Sequence, residues 1–137
     1  MLRYILLSLS VSLVLSGCVQ SKTHVKVSNH VYSVWVADSL FEQATGLGDI
    51  AHLEPDQGMI FIFPQETEQV FWMKDVAYPI DIIWINDGKV IGSVTAQPDI
   101  TLRFKSPDLV NMVLEVPAGT VARDGIKIGD KVALDES

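Results

Sequence analysis

The chain of 137 residues carries 10 Lys and Arg against 17 Asp and Glu, with a single Cys. That length fits one domain, a hydrophobic share of 48% excludes an intrinsically disordered chain, and one Cys excludes an internal disulfide framework. A formal net charge of -7 argues against a nucleic-acid partner, because phosphate recognition needs a basic face.

The first segment reads as an address. Eleven of the first seventeen residues are apolar, behind the lone positive charge of Arg3. The run from Tyr4 to Leu15 has the length of a secretory signal core and falls short of the roughly 20 residues a membrane-spanning helix needs. Leu15-Ser16-Gly17-Cys18 follows directly and resembles the bacterial lipobox, whose cysteine is lipidated. Residues 1–17 are therefore expected to be a lipoprotein signal peptide, with Cys18 the lipidation site and its acyl chains the membrane anchor. Val19, in place of an Asp after the cysteine, points to the outer membrane, facing the periplasm, if the source is Gram-negative. Residues 18–30 are mostly polar and read as a tether; ten flexible residues span about 17 Å. The folded domain is then expected over 31–134.

Short apolar runs separated by turn signals dominate that domain. Val31 to Ala37 reads as a strand. Ser39 with Glu42 three positions on makes a capping box, Gly46 supplies a stop, and Leu40, Ala44 and Leu47 would form the buried stripe of a short helix. Met59 to Phe63, Val70 to Met73 and Ile80 to Ile85 are apolar enough for strands covered on both sides. Asp87-Gly88 between two such runs is a strong hairpin signal, and Gly92 in the return strand marks a bulge. Thr101 to Lys105 alternates, with Leu102 and Phe104 inward. Val110 to Val116 places Val110, Met112, Leu114 and Val116 on one face. Ile126 to Leu134 reads as a last hairpin turning at Gly129-Asp130. The expected fold is mainly β, a compact barrel-like single domain with one or two short helices.

Several of these segments occur together in a recognisable order: Gly46-Leu47, Gly58 to Phe63, Phe71-Trp72-Met73-Lys74-Asp75, Pro79-Ile80-Asp81-Ile82-Ile83, Val113 to Gly119 and Gly125 to Val132. The whole resembles the family of domain of unknown function 192 over roughly residues 31 to 134. The family commonly shows Gly-Leu-Met where this chain has Gly46-Leu47-Gly48, and Asn where it has Asp75. The resemblance implies a small β-rich domain, often exported, with no established reaction, substrate or cofactor.

The segment from Phe71 to Asp81 holds the candidate site. Strand alternation puts Lys74 on the face of Trp72 and Asp75 on the other. Asp81 falls inside an apolar strand, where a carboxylate needs partners or a shifted pKa. In one reading Lys74, Asp81 and Asp75, ringed by Trp72 and Tyr78, form a ligand pocket at one mouth of the barrel. In the other, Asp81 accepts backbone hydrogen bonds, Lys74 pairs with it and Trp72 is core. The sequence contains no Gly-x-Ser-x-Gly elbow, no His-Glu-x-x-His and no phosphate loop. His24, His30 and His52 lack ligand spacing, so no metal site and no cofactor is expected. The chain thus reads as a lipid-anchored binding or accessory module for a small-molecule, glycan or protein ligand. The alternatives are an envelope enzyme using Lys74 with Asp81 or Asp75, and a structural lipoprotein contacting another protein.

Overall fold

In the computed structural model, residues 21–135 are described; the signal segment and Cys18 lie outside them. Nine strands and two short helices follow in order. They are β1 (Lys22–Val27), β2 (His30–Ala37), α1 (Leu40–Thr45), β3 (Gln57–Thr67), β4 (Val70–Phe71), β5 (Ile80–Asn86), β6 (Lys89–Ala96), β7 (Phe104–Lys105), β8 (Val110–Pro117), α2 (Thr120–Asp124) and β9 (Val132–Asp135). Seven of the strands form one sheet in the order β6-β5-β8-β3-β2-β1-β9, and β4 pairs with β7 apart from it. All pairs are antiparallel except β2 with β3. That parallel step needs a crossover, and α1 with the 3-10 turn Gly46–Asp49 provides it.

The sheet curls into a half-barrel. Its two edges meet at one end, where Val90 N–H donates to Asp130 and Val132 N–H donates to Gly88. One core lies inside the curl and draws on strands near both edges, including Val25, Val27, Val90 and Val132 with Ile83, Leu114 and Val116. A second core covers the opposite face, where Met59, Phe61, Ile80, Ile82, Trp84 and Val113 lie beneath Leu47, Met73 and Val76. A sheet buried on both faces accounts for the unbroken burial of β5 from Ile80 to Ile85.

The segment expected as a tether is shorter than the sequence suggested. Residues 22–27 form β1, paired with β2 on one side and β9 on the other. His24 and Lys26 face outward, while Val25 and Val27 are fully buried. Alternation of this kind is what a strand with one wet face shows, and the polar half concealed it.

The capping box is present: Ser39 Oγ accepts from Glu42 N–H while the Glu42 carboxylate accepts from Ser39 N–H. The expected stripe is not, since Leu40 and Ala44 are exposed and only Leu47 is buried. Gln43 anchors the helix instead, donating to Ala37 O at 3.3 Å and Ile62 O at 2.9 Å. The Asp87-Gly88 hairpin forms with φ of 47° and 66°, the left-handed values such a turn requires. The expected bulge leaves Ile91 unpaired between Val90 and Gly92. The strand expected over Thr101 to Lys105 shrinks to Phe104–Lys105, because Asp99 takes the Thr101 N–H and hydroxyl into a turn that exposes Leu102. The last segment is not a hairpin with itself: Ile126 to Asp130 is a turn, and β9 pairs with β1.

A charged network ties α2 to the barrel. Asp124 accepts from Tyr32 Oη at 2.5 Å and from two Arg123 nitrogens at 2.7 Å, and Arg123 reaches Asp56 at 3.2 Å. The Arg123 guanidinium holds the Asp124 carboxyl down at about 2.

Candidate functional site

Two acids are buried in the sheet, on opposite faces. Asp81 lies opposite Val116 and so points into the curl; Glu115 lies opposite Ile82 and Met59 and so points into the second core. Asp81 is satisfied there. Its carboxylate accepts from Thr95 Oγ1 at 2.7 Å and from Val121 N–H at 2.9 Å, where it caps the first turn of α2 from a distant strand. Both oxygens of Asp81 are thus engaged within the domain, and Lys74 is not among its partners.

Glu115 is different. It is 4% exposed, and none of the hydrogen bonds or ion pairs among the described residues involves its carboxyl. Burial alone pushes it up to about 8, so the group is largely protonated at neutral pH. Gly58 lets the two strands close here, since a Cβ at that position would sit 2.3 Å from the Glu115 carbonyl oxygen. No larger residue fits without moving β8.

The Glu115 side chain lines a chamber of about 30 Å³ bounded by Gln43 to Leu47 of the crossover, by Phe61 and Phe71, and by Trp72, Lys74 and Val76. An outer groove of about 240 Å³ shares Gln43, Ala44, Phe61, Phe71 and Trp72 with it and adds Leu40, Phe63, Gln69 and Val70. Aromatic rings make the wall: Phe61 meets Phe71 edge-on at 4.9 Å, and Phe71 meets Trp84 at 5.6 Å. Trp72 stands at the rim, 47% exposed, with the Arg103 guanidinium 4.9 Å and the Lys74 ammonium 5.9 Å from its ring centre.

Of the five residues singled out from sequence, Trp72 and Lys74 line this pocket. Tyr78 stands behind it. Its hydroxyl donates to Ile50 O at 3.0 Å, and burial together with the Glu115 carboxyl pushes it up to about 12. Asp75 is exposed at φ 61°, in the left-handed region that Asn and Asp tolerate best after Gly, and its Cβ packs near Gly48. A Cβ at Gly48 would come within 3.2 Å of Asp75 Cβ, so the two positions at which the sequence departs from the resembled pattern are neighbours. Asp81 lies across the sheet from the others. Sequence reasoning missed Glu115, although the same signal that drew attention to Asp81, an acid within an apolar strand, was present in Val113-Leu114-Glu115-Val116. His52 pairs with Glu54 at 2.7 Å on the surface, and among the described residues no group of three or more potential metal ligands gathers.

The fold and site together define a small curled β-sheet domain with an acid-floored, aromatic-walled pocket under its crossover. The profile of the DUF192 family, described as "Uncharacterized ACR, COG1430", matches residues 23–134, and the chain belongs to that family. Among solved structures, a Sinorhizobium meliloti 1021 protein described as a candidate transcription regulator is 30% identical, with a TM-score of 0.80 over 84% of this chain and 95% of that one. A protein of unknown function from Novosphingobium aromaticivorans DSM 12444 is also 30% identical, with a TM-score of 0.79 over 90% of this chain and 91% of that one. A comparison with curated proteins returns no match. The matched family begins at residue 23, inside β1, in keeping with that strand's place in the domain.

Proposed function

We propose that the protein is a lipid-anchored component of the cell envelope whose domain binds a small ligand in the Glu115 pocket. One observation carries the binding half: a carboxyl of a residue only 4% exposed, with no partner among the described residues, on the wall of a small chamber that shares its aromatic lining with a larger groove. A concave site with an aromatic wall and one acid set into it is the lining expected of a small-ligand pocket. Export and anchoring rest on the leader and on Leu15-Ser16-Gly17-Cys18. The outer membrane, with the domain in the periplasm, is the expected address in a Gram-negative source.

An acid–base pair of Lys74 with Asp81 is not favoured, because Asp81 faces the other side of the sheet and both its oxygens are engaged. Nor is DNA a fitting partner, whatever role the Sinorhizobium protein has, since a net charge of -7 opposes binding to phosphate.

Two measurements test the reading. Metabolic labelling with a fatty acid should mark the wild type and leave Cys18→Ser unmarked; equal labelling refutes the anchor. A thermal-shift screen of the detergent-extracted chain should yield stabilising small molecules whose effect is lost in Ala44→Phe, which fills the shared wall of chamber and groove from an exposed helix position. Hits indifferent to that substitution would place binding elsewhere.

A further inference from the structure

A carboxyl in a largely apolar interior costs stability when charged, and Glu115, with no partner among the described residues, lies on the wall of a small chamber. The chamber of about 30 Å³ takes one or two water-sized groups, enough for a small polar head and too little for a sugar ring. The groove of about 240 Å³ beyond it takes an apolar arm. Trp72 already draws Arg103 and Lys74 toward its ring, so the rim has the π surface that cations seek. No cation among the described residues pairs with Glu115 itself.

We propose that the pocket binds an organic ammonium ion, its head against the Glu115 carboxylate and its apolar arm along Phe71 and Trp72. This rests on the ligand-binding reading above and names the ligand class. A hydroxyl or amide head would gain one neutral hydrogen bond; an ammonium gains charge-assisted bonds in a site lined by Phe61, Phe71 and Trp72. The net charge of -7 favours approach of a cation to the molecule, while Lys74 and Arg103 at the rim oppose it locally, a repulsion the Glu115 carboxylate has to outweigh.

Binding in this form displaces a proton, because the free carboxyl is largely protonated at neutral pH. The groups facing Glu115 are Lys74 and Tyr78 from the loop between β4 and β5, Gln43 and Thr45 from α1, and Met59 and Ile82 from the neighbouring strands. Of these only Lys74 and Tyr78 titrate, and substitution of Glu115 separates its contribution from theirs.

The test is calorimetric titration of the detergent-extracted full chain with 2-phenylethylammonium and with 2-phenylethanol, its uncharged counterpart, for wild type and Glu115→Gln. The amine should bind the wild type at least about tenfold more tightly than the alcohol at pH 8, with Kd falling about tenfold per unit from about pH 6 and levelling near 8. Glu115→Gln should keep its fold by circular dichroism and lose both the preference and the slope. An alcohol that binds as well as the amine, a flat pH profile in wild type, or a slope that survives in Glu115→Gln overturns the proposal. If the alcohol binds and the amine does not, the pocket stands and the ammonium falls; if neither binds, both fall.

Discussion

Glu115 is the residue whose physical chemistry departs furthest from what its surroundings supply. Its folded-state value of about 8 stands above the ordinary 4.5, so the folded chain holds a proton that the unfolded chain gives up between those limits. Stability should be undiminished by this group below pH 4.5 and should fall as pH rises toward about 8, by on the order of a few kcal/mol. Asp124 works in the opposite sense: held at about 2 by Arg123, it loses its contribution only as pH falls below the ordinary 3.8. Denaturant unfolding from pH 4 to pH 9 should therefore show a decline on the alkaline side that is absent in Glu115→Gln; the same decline in both would remove Glu115 as its cause. Among individual residues, sequence made Trp72 and Lys74 legible because a rim aromatic and a cation within an apolar segment stand out. Glu115 carried the same signal as Asp81, an acid in an apolar run, but the cover over it was not legible. Met112, Leu114 and Val116 share the face inside the curl, whereas Val110, read from sequence as on that face, lies with Val113 on the side of Glu115. A second core covers that side, and no local pattern in β8 announces a cover made of loops distant in sequence.

At the scale of elements, strands and turns that depend on local chemistry were readable. The capping box, the Asp87-Gly88 hairpin and the Gly92 bulge formed because their signals lie within a few residues. Elements that depend on distant partners were not. α2 is only five residues long and takes its N-terminal hydrogen bond from Asp81, 40 positions earlier. β1 gains order only when β2 and β9 close on it and bury Val25 and Val27. Burial of two such side chains is worth roughly 1.5–3 kcal/mol each, a large fraction of a small domain's stability. A chain beginning at residue 21 should fold, whereas one beginning at residue 31 should lose β1, leave β9 without its sheet partner and fail to unfold cooperatively. Sharp one-dimensional NMR dispersion and a cooperative transition in the shorter chain would restore residues 18–30 as a mere tether.

Across the whole molecule, one curled sheet serves two purposes on its two faces. On the curl side, Asp81, Tyr32 and Asp124, with the exposed Arg123, fix α2 through partners within the domain. On the other face, α1, the Gly46–Asp49 turn and the loop after β4 roof a second core but leave a chamber at Glu115 and a groove past Trp72. What joins these observations is a single ionisable group in the wrong solvent for its charge, waiting on a partner from outside. Following the Glu115 side-chain carboxyl carbon by NMR through a pH titration of the wild-type chain examines that directly. The midpoint should lie near 8 in the free protein and move down when 2-phenylethylammonium is added; a midpoint near 4.5, unmoved by the amine, would contradict it.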